Sequence, residues 1–212
     1  GDILDLQADF DTGVSADDNI TISTVPVFTI SGLEQRRRSD INLYYSRANV
    51  VVADTFLLSH TLAQPVSDNI TIPAPLSLSE DVYTFWYTVS DSAGNISPNS
   101  VAIDVTVDLT PPSASVAPDL LHEGNGVNDF DSGTSSTDNI TNIETVKFRV
   151  TGLNTNDNSV IIVDTGPDPD VNIVEETING EVVDLTVPTI STTTYAAKVT
   201  DAAGNESILS EL

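Results

Sequence analysis

The chain has 212 residues, with 32 acidic against 7 basic side chains, a formal net charge of −25 and neither cysteine nor methionine. That charge argues against nucleic acid or an anionic membrane surface as partner. The absence of cysteine excludes a disulfide framework, and no apolar run approaches the roughly 18 residues of a membrane-spanning helix.

The chain opens on a short apolar stretch, Ile3–Leu6, followed by an acidic sentence at 9–21, DFDTGVSADDNIT. A strand with period-two alternation is expected around Phe28 and Ile30, closing on Gly32-Leu33. The next stretch, 34–49, reads EQRRRSDINLYYSRAN and carries Arg36, Arg37, Arg38 and Arg47. A β-branched run at 50–55 predicts a second core strand. Then come Pro-containing turns, a strand running into a glycine turn (TFWYTVSDSAGN, 84–95) and a closing strand, VAIDVTVD, at 101–108.

The same order then repeats. The stretch 116–121 is apolar, and 129–141 reads DFDSGTSSTDNIT. A period-two strand has Val146, Phe148 and Val150 on one face. A β-branched run follows at 160–165, and TYAAKVTDAAGN ends at 205. Asp9, Asp11, Gly13, Ser15, Asp18, Asn19, Ile20 and Thr21 recur 120 positions later, whereas DSAGN recurs as DAAGN 110 positions later. Two motifs repeated in fixed order mean two tandem domains of one kind, expected at 1–108 and 109–212. The two offsets differ by ten residues. Alignment of Val50 with Val160 places those ten in the 34–49 stretch, as an insert. The second copy has only ESILSEL after its glycine turn, so its last strand is expected to be truncated and a further copy to follow.

Short strands, frequent turn signals, about 100 residues per copy and no long amphipathic helix predict an all-β fold. Each copy is read as an immunoglobulin-like β-sandwich. Asp108-Leu-Thr-Pro-Pro112 reads as a short stiff linker, because proline fixes φ.

The acidic sentences suit calcium, a hard cation that takes six to eight oxygen ligands. They are not EF-hands, since Ile20 stands where that loop needs a bidentate Glu. Asp/Asn/Gly-rich segments also make ordinary turns. The candidate ligands are Asp9, Asp11, Asp17, Asp18, Asp91, Asp108, Asp129, Asp131, Asp138 and Asp201. With alternating strand direction, the first acidic loop lies at the end where the chain leaves its domain. Asp9, Asp11, Asp108 and Asp201 are therefore expected to form an interdomain site, with single-domain sites as the competing reading.

Other features have plainer explanations. Arg36–Arg38 with Tyr44 and Tyr45 form either a ligand- or glycan-binding loop or a long hairpin whose arginines offset nearby acids. Trp86 is read as a partly exposed surface residue. His60 and His122 fall in different copies, no nucleophile motif such as GxSxG is present, and no enzymatic role is expected. Asn156-Asp157-Asn158 is read as a turn. The N-x-S/T sequences at Asn19, Asn69, Asn95, Asn139 and Asn205 lie mostly inside the repeated motifs and fit a turn or ligand role.

The DxDxG…DNIT loop, the DxAGN turn and the VDLTPP linker together resemble the bacterial immunoglobulin-like repeats of giant surface adhesins, the biofilm-associated and type-I-secreted kind. The resemblance covers nearly the whole chain. It implies an extracellular, cell-surface spacer stiffened by Ca²⁺ at its junctions, with neighbouring repeats of the same chain as partners. A monomer without direct membrane insertion is expected. The 34–49 stretch leaves room for a binding module, and a place beside a secreted enzyme is a further alternative.

Overall fold

A computed structural model describes residues 3–32, 39–48, 55–61, 69–73, 77–166, 170–190 and 193–211. The described residues contain strands, turns and no helix. The chain divides into two compact units, Gly1–Thr110 and Pro111–Leu212.

In unit 1, β1 (Ile3–Leu6), β3 (Val27–Ser31) and β6 (Asn69–Pro73) form one sheet in the order β1-β3-β6. The other sheet runs β2 (Ile20–Thr21), β8 (Ile103–Val107), β7 (Asp81–Asp91), β4 (Ser39–Arg47), β5 (Thr55–Thr61). All pairings are antiparallel except β2 with β8, which is parallel. Inward residues at every second position build the core between the sheets. Leu4, Leu6, Phe28 and Ile30 face Ile41, Leu43, Phe85, Val105 and Val107. Phe28 and Phe85 meet across the sandwich with ring centroids 4.5 Å apart, tilted by 48°.

Among the described residues, unit 2 repeats the plan with two three-stranded sheets. One sheet is β13 (Val182–Val187), β10 (Val146–Thr151), β9 (Asp119–Leu120). The other is β12 (Val171–Thr177), β11 (Asp157–Asp164), β14 (Tyr195–Asp201). Leu120, Phe148, Val150 and Leu185 pack on Val160, Ile162, Ala197 and Val199. Phe148 and Tyr195, 5.4 Å apart, stand where Phe28 and Phe85 stand in unit 1.

The structure corrects the expected insert. Ser39–Arg47 is no loop excursion but β4, lying between β7 and β5. Ile41 pairs with Val89 as Val160 pairs with Val199, so β4 is the equivalent of β11. Its alternation of buried Ile41 and Leu43 with half-buried Asp40, Asn42 and Tyr44 makes a half-buried strand, a periodicity less conspicuous in the sequence than the β-branched richness of 50–55. Residues 33–38, with Arg36, Arg37 and Arg38, and residues 49–54 lie outside the described residues. Arg47 is on β4, bonded to Asp81 and lying over the Tyr83 ring. The extra length of unit 1 is spread along the chain. Equivalent residues are 119 positions apart at Ile41 and Val160 (160 − 41), 116 at Leu58 and Val174 (174 − 58) and 110 at Phe85 and Tyr195 (195 − 85).

Trp86 is also corrected: it is 8% exposed and stacks on Tyr44, with the rings 8° from parallel. Thr155-Asn156 forms a turn into β11, closed by Asp157 N–H on the Asn154 carbonyl and by Asn154 N–H on Asp157 Oδ2.

Candidate cation-binding loops

The two acidic loops are one structure built twice. The backbone N–H of Asn19 donates to Asp11 Oδ2 at 3.1 Å, and that of Asn139 to Asp131 Oδ2 at 3.2 Å. Asn19 and Asn139 take positive φ, 59° and 55°, a conformation asparagine tolerates better than most L-residues. Asp18 accepts from Ile20 N–H and Asp138 from Ile140 N–H, each an Asx turn. Thr12 Oγ1 accepts from Ile22 N–H, as Ser132 Oγ does from Asn142 N–H. Ser15 and Ser135 cap Asp17 N–H and Thr137 N–H. Most of the repeated residues thus have a folding role.

Not every oxygen is so used. Asp11 is 5% exposed and Asp131 3%, yet Oδ1 of each is buried with no hydrogen-bond partner. Such a group costs roughly 1–3 kcal/mol when left unsatisfied, and more when charged. Burial pushes the Asp11 carboxyl above its usual range. The Asn19 N–H opposes that shift, while the Asp18 and Asp5 charges add to it. Asn19 Oδ1 is a further buried acceptor without a partner. The copies differ here, because Asn139 Oδ1 accepts the Leu120 N–H at 2.8 Å.

The other candidates differ in their surroundings. Asp9, Asp17, Asp18 and Asp138 are exposed. Asp108 sits at the end of β8, where its N–H bonds the Thr21 carbonyl beside the first acidic loop. Asp91 is ten residues up β7 from Asp81, about 33 Å along a strand, at the opposite end of unit 1. There it makes the glycine turn. Its Oδ1 accepts Ala93 and Asn95 N–H and its Oδ2 accepts Asn95 Nδ2–H, and these bonds, led by the Asn95 side chain, lower its pKa. In unit 2, Asp201 makes the corresponding turn, accepting Asn205 N–H on Oδ1 and Asn205 Nδ2–H on Oδ2.

Asp129 does not match Asp9. Six extra residues (120 − 114) separate Leu120 from Asp131 relative to Leu6 and Asp11, and they form a loop closed around Asp129. Its carboxylate accepts N–H groups of Glu123, Gly124 and Gly126 and meets His122 Nδ1 at 3.4 Å. The structure therefore brings Asp11, Asp18 and Asn19 together in unit 1 and Asp131 with Asn139 in unit 2. Among the described residues no group of three or more His, Cys, Asp or Glu is close enough to hold a metal. Sequence reasoning missed four serines that seal the glycine turns. Ser97 and Ser100 Oγ accept Val89 and Tyr87 N–H, and Ser207 and Ser210 Oγ accept Val199 and Ala197 N–H. Their common offset of 110 was the available signal.

The donor set suits a hard cation. The unsatisfied atoms are oxygens, and calcium completes its shell from amide and backbone carbonyls and water as readily as from carboxylates.

The model of one family, described as bacterial Ig-like domain, matches residues 2–109. A search of the curated proteins finds no match. Among solved structures, the chicken CNTN1 FN1-FN3 domains superpose with a TM-score of 0.52 at 9% identity, over 91% of this chain and 60% of that one. The human OSCAR ligand-binding domain gives 0.39 at 15% identity over 91% of each chain. A tetra-tandem repeat in the extending region of a large adhesion protein gives 0.32 at 15% identity, over 99% of this chain and 50% of that one.

Proposed function

We propose, on the premise that this chain belongs to the bacterial immunoglobulin-like domain family, that it is a pair of calcium-stiffened spacer repeats of a bacterial surface adhesin. Its role is non-catalytic: it holds other parts of a larger protein away from the cell in adhesion or biofilm growth. One observation carries the calcium reading. A buried carboxylate oxygen without a partner, Asp11 Oδ1 or Asp131 Oδ1, occurs at the same place in both copies of the same loop. A cation seated there satisfies that oxygen and offsets part of a net charge of −25.

In unit 1 the ligands are Asp11, Asp18 and the Asn19 side-chain carbonyl, with Asp108 next to the loop. In unit 2 they are Asp131 and Asp138. Asp91 and Asp201 serve the turns. Asp9 and Asp17 are exposed and add to the local negative potential. The ion binds the folded loop and not the unfolded chain, so it stabilises by RT ln(1 + [L]/Kd), about 2.7 kcal/mol at a hundredfold excess over Kd.

Thermal unfolding in excess EDTA, then across a calcium titration with magnesium as control, tests this. The expected result is a calcium-specific rise in melting temperature that shrinks in Asp11→Asn and again in Asp11→Asn/Asp131→Asn. A melting temperature indifferent to calcium leaves the loops as turns only.

A further inference from the structure

The dipeptide Asn-Gly occurs twice in the chain, at Asn125-Gly126 and at Asn179-Gly180. It is the asparagine sequence most open to self-attack. A glycine has no Cβ to keep its nitrogen away from the neighbouring side-chain amide carbon. Asn125 and Asn179 are both exposed, so access to water does not distinguish them. Their hydrogen bonds do.

Asn125 is held in place. Its Oδ1 accepts Val127 N–H at 2.8 Å and Asn128 N–H at 3.0 Å, and its Nδ2–H donates to Glu123 Oε2 at 2.9 Å. Glu123 is in turn held by Asn128 Nδ2–H and by Arg149. The nitrogen that would attack, that of Gly126, donates its proton to Asp129 Oδ2. A proton engaged by a carboxylate is not readily given up. The Asn125 side chain cannot turn toward that nitrogen without breaking three bonds.

Asn179 lies in the connection 178–181 between β12 and β13. Its side chain makes one hydrogen bond, Nδ2–H to the Thr177 carbonyl, at 3.5 Å and therefore weak. Among the described residues the Gly180 N–H has no partner. The space where a Cβ would stand on Gly180 is empty to 4 Å.

We propose that Asn179 is a site of spontaneous deamidation, and that the loop around Asp129 protects Asn125 from the same reaction. The Gly180 nitrogen, giving its proton to hydroxide, bonds to Asn179 Cγ. The Cγ–Nδ2 bond breaks and Nδ2 leaves as ammonia. Water then opens the five-membered succinimide. Opening at Cγ gives aspartate. Opening at the main-chain carbonyl gives isoaspartate, in which the backbone runs through Cβ and Cγ. Either product adds a negative charge beside Glu181, and no oxidant or enzyme is needed.

The isoaspartate matters more for the fold, because it adds a backbone atom to a connection pinned at both ends. Ile178 N–H bonds the Asn158 carbonyl at 2.8 Å and Ile178 packs on the core of unit 2. Val182 pairs with Thr151 on the other side. The strands so joined belong to different sheets, so ageing at Asn179 loosens a link between the two layers of unit 2.

The test incubates the full chain in warm, mildly alkaline buffer and follows both dipeptides by peptide mapping and mass spectrometry, with isoaspartate separated from aspartate. Asn179 should convert faster than Asn125 by about tenfold or more, since Asn125 reacts only from locally opened molecules. In urea the two rates should converge. Gly180→Ala, for which there is room, should slow Asn179, and Asp129→Ala should speed Asn125 while leaving Asn179 unchanged. Amide exchange at Ile178 should rise as isoaspartate accumulates. Equal rates in the folded chain, or an Asn179 that converts only in urea, overturn the proposal. An Asn125 indifferent to Asp129→Ala overturns the protective role of the loop.

Discussion

Asp11 holds Asn19 in a left-handed backbone conformation by accepting its N–H on Oδ2 at 3.1 Å, while its other oxygen, in the same buried spot, accepts nothing. One carboxylate thus has a finished half and an unfinished half. Asp131 and Asn139 repeat the arrangement at 3.2 Å.

The halves separate experimentally at Asn19. Its positive φ makes Asn19→Ala strained, a cost of about 1–3 kcal/mol, while Asn19→Gly keeps the backbone relaxed. In EDTA, urea unfolding should show Asn19→Gly close to the parent and Asn19→Ala well below it. Both should lose calcium affinity by titration calorimetry, because both lack the Asn19 side-chain oxygen. Equal calcium affinity in parent and Asn19→Gly would remove that oxygen from the ligand set.

Arg149 reaches Asp184 with Nε at 2.7 Å and Nη2 at 2.8 Å across β10 and β13, and this pairing lowers the Asp184 pKa. The pair is about a third exposed, so its worth is held to about 0.2–1 kcal/mol. A depressed carboxyl stabilises the fold above its unfolded pKa, about 3.9, and that share is lost as pH falls through the lower folded value. Arg149→Met should therefore be less stable than the parent at pH 7. The two should converge in strong acid, measured by urea unfolding at several pH values. A gap that persists at low pH would mean the arginine acts by packing.

Ser210 is 4% exposed, and its Oγ is the acceptor for the Ala197 N–H. Ser210→Ala leaves that amide buried without it, at a cost of about 1–3 kcal/mol. Ser100→Ala should cost less, because Ser100 is less buried. Hydrogen exchange at Ala197 and Tyr87 reads both directly, and no change at either would show that water replaces the hydroxyl.

Phe85→Ala opens a cavity at the Phe28 contact and should lose about 3–5 kcal/mol. Because each unit has its own core, calorimetry should show the loss in one unfolding transition and not the other. A uniform shift of both would mean the units unfold as one.

Repetition carried most of what could be read without coordinates. Residues that recur at one spacing, such as Asp18 and Asp138, share a structure down to the hydrogen bond they accept. Reading failed where a local signal was stronger than the true one. Val50–Thr55 looks more like a core strand than Ser39–Arg47 does, because β-branched content is conspicuous and mixed aromatic alternation is not. Asp129 matches Asp9 in the sequence but not in its partners, since the six extra residues before it make a loop that consumes its carboxylate. The distinction between Asp11 and its acidic neighbours rests on burial of a single oxygen, and burial is a property of the whole sandwich.

The parallel pairing of β2 with β8 decides how unit 1 meets a pull. Thr106 N–H and Asp108 N–H bond the Asn19 and Thr21 carbonyls, across the axis of the strand that leads out of the unit. Force applied along that strand loads these bonds in shear, so they must break together and not one after another. The acidic loop that ends at Thr21 is thereby one jaw of a clamp, and whatever stiffens the loop tightens the grip.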